Sequence, residues 1–266
     1  MTAATARERF ALLQVPGVRI GALPAEPVRR LPSGIAALDA LLGGGLPRGY
    51  LSEIVGGPSS GRTALLHALL ASATRRGEVA AVVDLGDALD PPSLARAGAD
   101  LERVLWVRPP SPQTALKCAE LVLSAGGFGL IALDLGAQVL RPGSGQALRP
   151  GSGQARPLPR QVWLRLAQVT RRAGAVLAVL AERRMTTSCA AVALRLTRRR
   201  TRWSGRLFDG ITSTAELARS RFGPAEQTVV LALGEQLAAL DGVQVERLPG
   251  GRGGGGEAAA GRAIAR

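Results

Sequence analysis

Apolar and polar positions fall in blocks along most of this chain. "YLSEIVG" (50–56), "VAAVVDLG" (79–86), "RVLWVR" (103–108), "FGLIALDLG" (128–136) and "AVLAVLAE" (175–182) are short, nearly continuous apolar runs, as expected of strands buried on both faces. Between them, apolar residues recur at helical spacing in "TALLHALLASATRR" (63–76), "PPSLARAG" (91–98), "PQTALKCAELVLSAGG" (112–127) and "RQVWLRLAQVTRRAG" (160–174). This alternation predicts an α/β fold, a mostly parallel sheet flanked by helices. An earlier helix is predicted in "GIAALDALLGGGLPRG", where Ile35, Leu38, Leu41 and Leu42 precede three glycines that stop it. The last third, "AAVALRLTRRRTRW", "TSTAELARSRFG" and "EQTVVLALG", has no long helical pattern. It predicts antiparallel strands added at the sheet edge towards the C-terminus.

The flanks read differently. Residues 1–33 predict a short helix over 2–14, with Phe10, Leu12 and Leu13 as its apolar part, and then a linker marked by Pro16, Gly17, Pro24, Pro27 and Pro32. The core is predicted to span 34–247. Residues 248–266 form a glycine-rich tail with too little apolar content to fold. Inside the core, "LRPGSGQA" at 140–147 is repeated identically at 148–155, a flexible and mildly basic excursion soon after the strand that ends near Asp134.

Composition narrows the function classes. Hydrophobic residues make up 46% of the 266 positions and aromatics only 3%, so the core must be built from Leu, Val, Ile and Ala. The apolar runs fall short of the roughly 18–20 residues a membrane span needs, and no apolar segment behind the N-terminal charges marks a secretory signal. Cys118 and Cys189 make neither a disulfide framework nor a metal cluster. The single histidine, His67, lies in an apolar helix and reads as a packed or solvent-edge residue. A resident metal is therefore not expected, and the chain reads as a reduced, cytoplasmic protein without a membrane partner.

Net charge is +14, and only Lys117 among the 34 basic residues is lysine. Coding bias accounts for the skew to arginine, while the surplus charge itself favours phosphate-rich or acidic partners. The densest run, "LTRRRTRW", crowds Arg198, Arg199, Arg200 and Arg202 beside Trp203. On a strand, Arg198, Arg200 and Arg202 would share one face. Two readings stay open: a surface for DNA or an acidic partner, and an ordinary solvated edge.

"GGPSSGRT" (56–63) is the one motif with specific chemistry. Gly56, Gly57, Ser60, Gly61, Arg62 and Thr63 have the spacing of a phosphate-binding loop between a strand and a helix. Its amides form an anion cradle. Thr63 could ligate Mg²⁺, and Asp134 at the end of "LIALD" could hold the ion's waters. Arg62 departs from the pattern, because a forked guanidinium does not replace the compact ammonium of lysine in a tight loop. Hydrolysis also needs a group that positions water. "VVDLGDALDP" offers Asp84 and Asp87 there, with Gly86 between them.

"LPSGIAALDALLGGGLPRGYLSEIVGGPSSGRTALL", "VVDLGDALDPPSLARAGADLERVLWVRP" and "FGLIALDLG" resemble, in order, the ATPase core of bacterial RecA over about residues 31–235. The resemblance implies Gly56, Gly61 and Thr63 on the phosphate loop and Asp134 as the Walker B aspartate. It likens Arg219 and Arg221 in "LARSRFGP" to a basic pair that reaches a neighbouring subunit's nucleotide, solvated surface arginines being the alternative. Against the family pattern, the lysine position is Arg62, the catalytic glutamate position Gly86, the adenine-stacking tyrosine position Ser93 and the nucleotide-coupled glutamine position Glu182. The second DNA loop has shrunk to "RRMTTSCA" (183–190), and the first carries the duplicated octapeptide.

Reduced chains of this kind resemble the ImuA family, on "CAELVLSAGGFGLIALDLG" and "WSGRLFDGITSTAELARSRF". That resemblance implies a non-catalytic accessory protein in damage-induced translesion DNA synthesis. It also implies partners: an ImuB-like inactive relative of Y-family polymerases, an error-prone replicative-type DNA polymerase, RecA and DNA. No cofactor would be required. The alternative is a DNA-stimulated ATPase or recombinase paralogue using ATP and Mg²⁺ through Thr63 and Asp134.

Overall fold

The computed structural model describes residues 28–136 and 158–234. The readings made of the N-terminal helix and linker up to residue 27, the repeated octapeptide and the tail lie outside the described residues.

Among the described residues, ten strands and five α-helices form in chain order: β1 (Arg30–Leu31), α1 (Ala36–Leu41), β2 (Leu46–Pro47), β3 (Leu51–Val55), α2 (Arg62–Arg75), β4 (Val79–Asp84), α3 (Pro91–Arg96), β5 (Val104–Val107), α4 (Pro112–Ala125), β6 (Phe128–Asp134), α5 (Arg160–Ala173), β7 (Val176–Ala181), β8 (Val192–Ser204), β9 (Leu207–Ser220) and β10 (Gln227–Leu233). Eight strands make one sheet in the order β10-β9-β8-β3-β7-β6-β4-β5. From β8 to β5 every pairing is parallel, and β9 and β10 add antiparallel at one edge. The α/β architecture is thus the one the apolar blocks predict.

Local chemistry sets the helix starts. Asp90 caps α3 by accepting from Ser93 N (3.0 Å), and Ser111 caps α4 by accepting from Thr114 N (3.2 Å), each followed by proline at the first helical position. Helix α5 stops at Gly174, whose φ of 66° is left-handed. Gly45 has a φ of 118°, and a Cβ there would collide with the Leu31 carbonyl. Only glycine lets β1 pair with β2 at that approach.

Two cores result, one on each sheet face. The first joins α1, α2 and α3 to inward residues such as Ile54, Val82, Ala178 and Leu194, and it also takes in Leu31. The packed domain therefore reaches back past residue 34 to Leu31, fully buried and paired with Leu46. The second core packs α4 and α5 on Leu51, Val83, Leu133 and Val179, with Trp163 fully buried in it.

Trp163→Ala should leave a large cavity and cost about 3–5 kcal/mol, read as a lower denaturant midpoint with an unchanged slope.

Candidate functional site

The parallel strands β3 and β6 end on the same side of the sheet, and consecutive strands β3 and β4 are separated there by β7 and β6. This is where strand order reverses, the place open α/β sheets use for ligands. The chain turns here from fully buried β3 into α2 through Gly56–Gly61. A Cβ on Gly56 would meet Ser60 and, at 2.7 Å, the Leu196 carbonyl. Gly61 has a φ of 91°, and a Cβ there would collide with Leu233. The Ser213 hydroxyl of β9 donates to the Ser60 carbonyl at 2.8 Å. The added strands β8, β9 and β10 therefore hold this turn from one side.

A groove of about 280 Å³ opens over the turn, at the lower end of ligand-pocket sizes. Gly57, Ser60, Arg62, Thr63, His67 and Ser93 line it on one side, and Phe208, Ile211 and Gly234 close the other. Ser60 Oγ, Arg62 Nη1 and His67 Nε2 are buried and have no protein partner. With the free amides at the start of α2 these atoms suit a phosphate-sized anion.

Asp134 and Asp84 are register neighbours on β6 and β4. Burial pushes the Asp134 carboxyl above its ordinary range; the Gly136 N–H and the Arg62 charge pull it back, while the Asp84 charge adds to the rise. Asp134 Oδ1 already accepts from Gly136 N at 2.8 Å. Among the described residues no group of three or more His, Cys, Asp or Glu side chains could hold a metal ion.

The two acids considered for positioning water have other tasks. Asp84 is 2% exposed and accepts from Gly86 N (3.1 Å), Leu89 N (2.9 Å) and Trp106 Nε1 (3.3 Å), which ties down the 85–89 turn. Asp87 is exposed, with a φ of 49°, and pairs with Arg108 at 3.4 Å. Ser93 lines the groove without a ring; its hydroxyl accepts from Arg96 at 2.7 Å.

Two residues at the site escaped the sequence reading. Phe208 reaches the groove through the β9 register, which no local pattern discloses. Glu53, in the middle of β3, is fully buried and accepts from Met185 N (2.6 Å), Thr186 N (2.9 Å) and Arg184 Nε (3.3 Å). It fastens the shortened 183–190 loop to the strand that carries the phosphate loop. The only signal in the sequence is an acid inside an otherwise apolar run.

The arginine candidates separate. Arg219 lies near the far end of β9, where it pairs with Ala193, and Arg221, just past that strand, donates from Nη2 to the Ser188 carbonyl at 3.0 Å. Six residues along a strand put Arg219 about 20 Å from Ser213, so within one chain the pair does not join the groove. In β8, Arg198 pairs with Ser213 but Arg200 pairs with its neighbour Thr212. A bulge absorbs Arg199 and resets the alternation, so Arg198 and Arg200 do not share the face expected of them. Arg202 is half-buried, with Nη2 turned towards the Asp209 carbonyl at 3.5 Å.

A family model described as the RecA N-terminal domain matches residues 14–146, half of the chain. The chain belongs to that family. Protein RecA of Thermus thermophilus is 42% identical over 118 residues, covering 44% of this chain and 35% of its own length. Protein RecA of Leifsonia xyli subsp. xyli is 40% identical over 118 residues, covering 44% and 33%. The chain thus spans about a third of the length of these curated relatives. The crystal structure of the RadB recombinase superposes with a TM-score of 0.55 at 21% identity, covering 77% of this chain and 97% of that one, a likeness of fold.

Two outcomes follow at this site. Glu53→Ala orphans two buried backbone donors, each costing about 1–3 kcal/mol. It should lower the melting temperature and raise hydrogen exchange selectively over 183–188, as read by mass spectrometry. Burial lowers the His67 pKa from the ordinary 6.5, opposed by the charge of Asp90. The unfolded chain then binds the extra proton first, so stability is full above about pH 6.5 and declines as pH falls from there. His67→Leu should flatten that decline in melts between about pH 7.5 and 5.5.

Proposed function

We propose that this member of the RecA N-terminal domain family is a non-catalytic accessory protein in damage-induced translesion DNA synthesis. One observation carries the loss of catalysis: a retained phosphate loop whose cation is the guanidinium of Arg62, above a strand end where Gly86 stands and Asp84 is fully engaged by Gly86, Leu89 and Trp106. The fold survives while the parts that would position water do not.

The resemblance of "CAELVLSAGGFGLIALDLG" and "WSGRLFDGITSTAELARSRF" to the ImuA family supports the choice of partners. On this reading the chain binds an inactive relative of Y-family polymerases and acts with an error-prone replicative-type polymerase, with RecA and DNA as further contacts. Arg198, Arg199 and Arg200 on the exposed hairpin supply a surface for DNA or an acidic partner. Glu53 accepts from Arg184, Met185 and Thr186 of the 183–190 loop, contacts made by the chain itself.

A second reading, an ATPase or recombinase paralogue in DNA repair, is favoured by the unpartnered Ser60 Oγ, Arg62 Nη1 and His67 Nε2 beside Thr63. The two separate on one double variant. The accessory reading predicts that Thr63→Ala combined with Asp134→Ala leaves capture of the inactive polymerase relative, and damage-induced mutation frequency, within about twofold of the parent. An ATPase role predicts the mutagenesis readout collapsing in that variant. Failure of the parent chain to capture any polymerase subunit from a co-expression pull-down would remove the accessory reading.

A further inference from the structure

A second cleft, of about 600 Å³, opens between α4 and α5 and shares no residue with the groove over the phosphate loop. The two helices lie side by side because they lead into neighbouring parallel strands, β6 and β7. Leu116, Leu158 and Val162 supply its apolar lining. Arg165 Nε of α5 donates to Glu120 Oε1 of α4 at 2.6 Å, a bridge from one wall to the other.

The rim is positively charged. The Arg165–Glu120 pair is neutral in itself. Lys117, the chain's single lysine, stands exposed on the α4 wall and has no carboxylate partner among the described residues. Asp90 and Ser111 cap the starts of α3 and α4 with their side chains, but α5 starts at Pro159, which offers none. Pro159 also lines the cleft, so the positive end of α5 opens at its margin.

We infer that this cleft is a docking site for an acidic amphipathic helix of a protein partner. Leucine-sized side chains of that helix enter between α4 and α5, and a carboxylate beside them pairs with Lys117. The rim charge, on a chain of net charge +14, selects an acidic partner. No strand residue lines the cleft. An extended segment would therefore find no ladder there, whereas a helix satisfies its own backbone. Two adjacent helices also leave a furrow that accepts the side-chain ridge of a third. From Gln113 to Glu120 the furrow runs about 10 Å along α4, so it covers about two turns of the partner. This surface goes beyond the accessory reading and does not depend on it.

The test uses the full chain and a labelled alanine-based peptide of about 15 residues, with leucines at i, i+4 and i+7 and glutamates beside them, followed by anisotropy. Binding should saturate below about 1 mM. It should weaken at least about threefold when the glutamates become glutamine, and more when the leucines become serine. Bound peptide should slow hydrogen exchange over 112–120 and 158–165. Lys117→Glu should weaken binding about fivefold, and a peptide with lysine in place of glutamate should recover it. Gln113→Trp, at an exposed position on the cleft wall, should fill the furrow and abolish binding with an unchanged melting temperature. Absence of saturation by about 1 mM, or equal binding of polyglutamate, overturns the site. So does displacement of the peptide by an equal concentration of decanoate, which would mark a small-molecule cleft. Unchanged affinity in both Lys117→Glu and Gln113→Trp overturns it as well.

Discussion

The turn between β3 and α2 is clamped by contacts that leave no room for a side chain at Gly56 or Gly61, and the rest of the site depends on that clamp. Gly56 lies against the Leu196 carbonyl, Gly61 against Leu233, and the Ser60 carbonyl takes the Ser213 hydroxyl. Each of these neighbours belongs to β8, β9 or β10. The glycine spacing is thus required by packing between the loop and those strands, whatever the loop binds. A loop held in this way keeps its shape through packing.

The same clamp explains the electrostatics of the groove. It fixes the start of α2, and with it Arg62, next to the ends of β4 and β6. Two carboxylates meet there, Asp84 committed to the 85–89 turn and Asp134 with its pKa raised by burial. Both already accept from backbone N–H groups, Asp84 from Gly86 and Leu89 and Asp134 from Gly136. Beside them, Ser60 Oγ, Arg62 Nη1 and His67 Nε2 are buried without a protein partner.

Much of the fold was legible because its strands are buried on both faces and therefore read as apolar blocks, from "LSEIV" to "VLAVLA". Long-range partners were not legible. Glu53 sits in such a block, and its ligands, Met185 and Thr186, lie more than a hundred residues away. The bulge at Arg199 leaves no mark in "TRRRTR", so strict alternation placed Arg198 and Arg200 together where the register separates them. Phe208 enters the groove only because β9 pairs along its whole length with β8. Asp84 and Asp87 show the converse: they stand where a catalytic acid would be sought, and backbone geometry has claimed one and Arg108 the other.

We propose that the phosphate loop is retained for packing and holds an anion without metal-dependent turnover. Calorimetry of ATP binding to the full chain, with and without Mg²⁺ and paired with a phosphate-release assay, addresses it most directly. The account predicts weak binding that Mg²⁺ does not strengthen, and no release of phosphate above buffer. Tight, Mg²⁺-dependent binding with turnover that disappears in Asp134→Ala would contradict it.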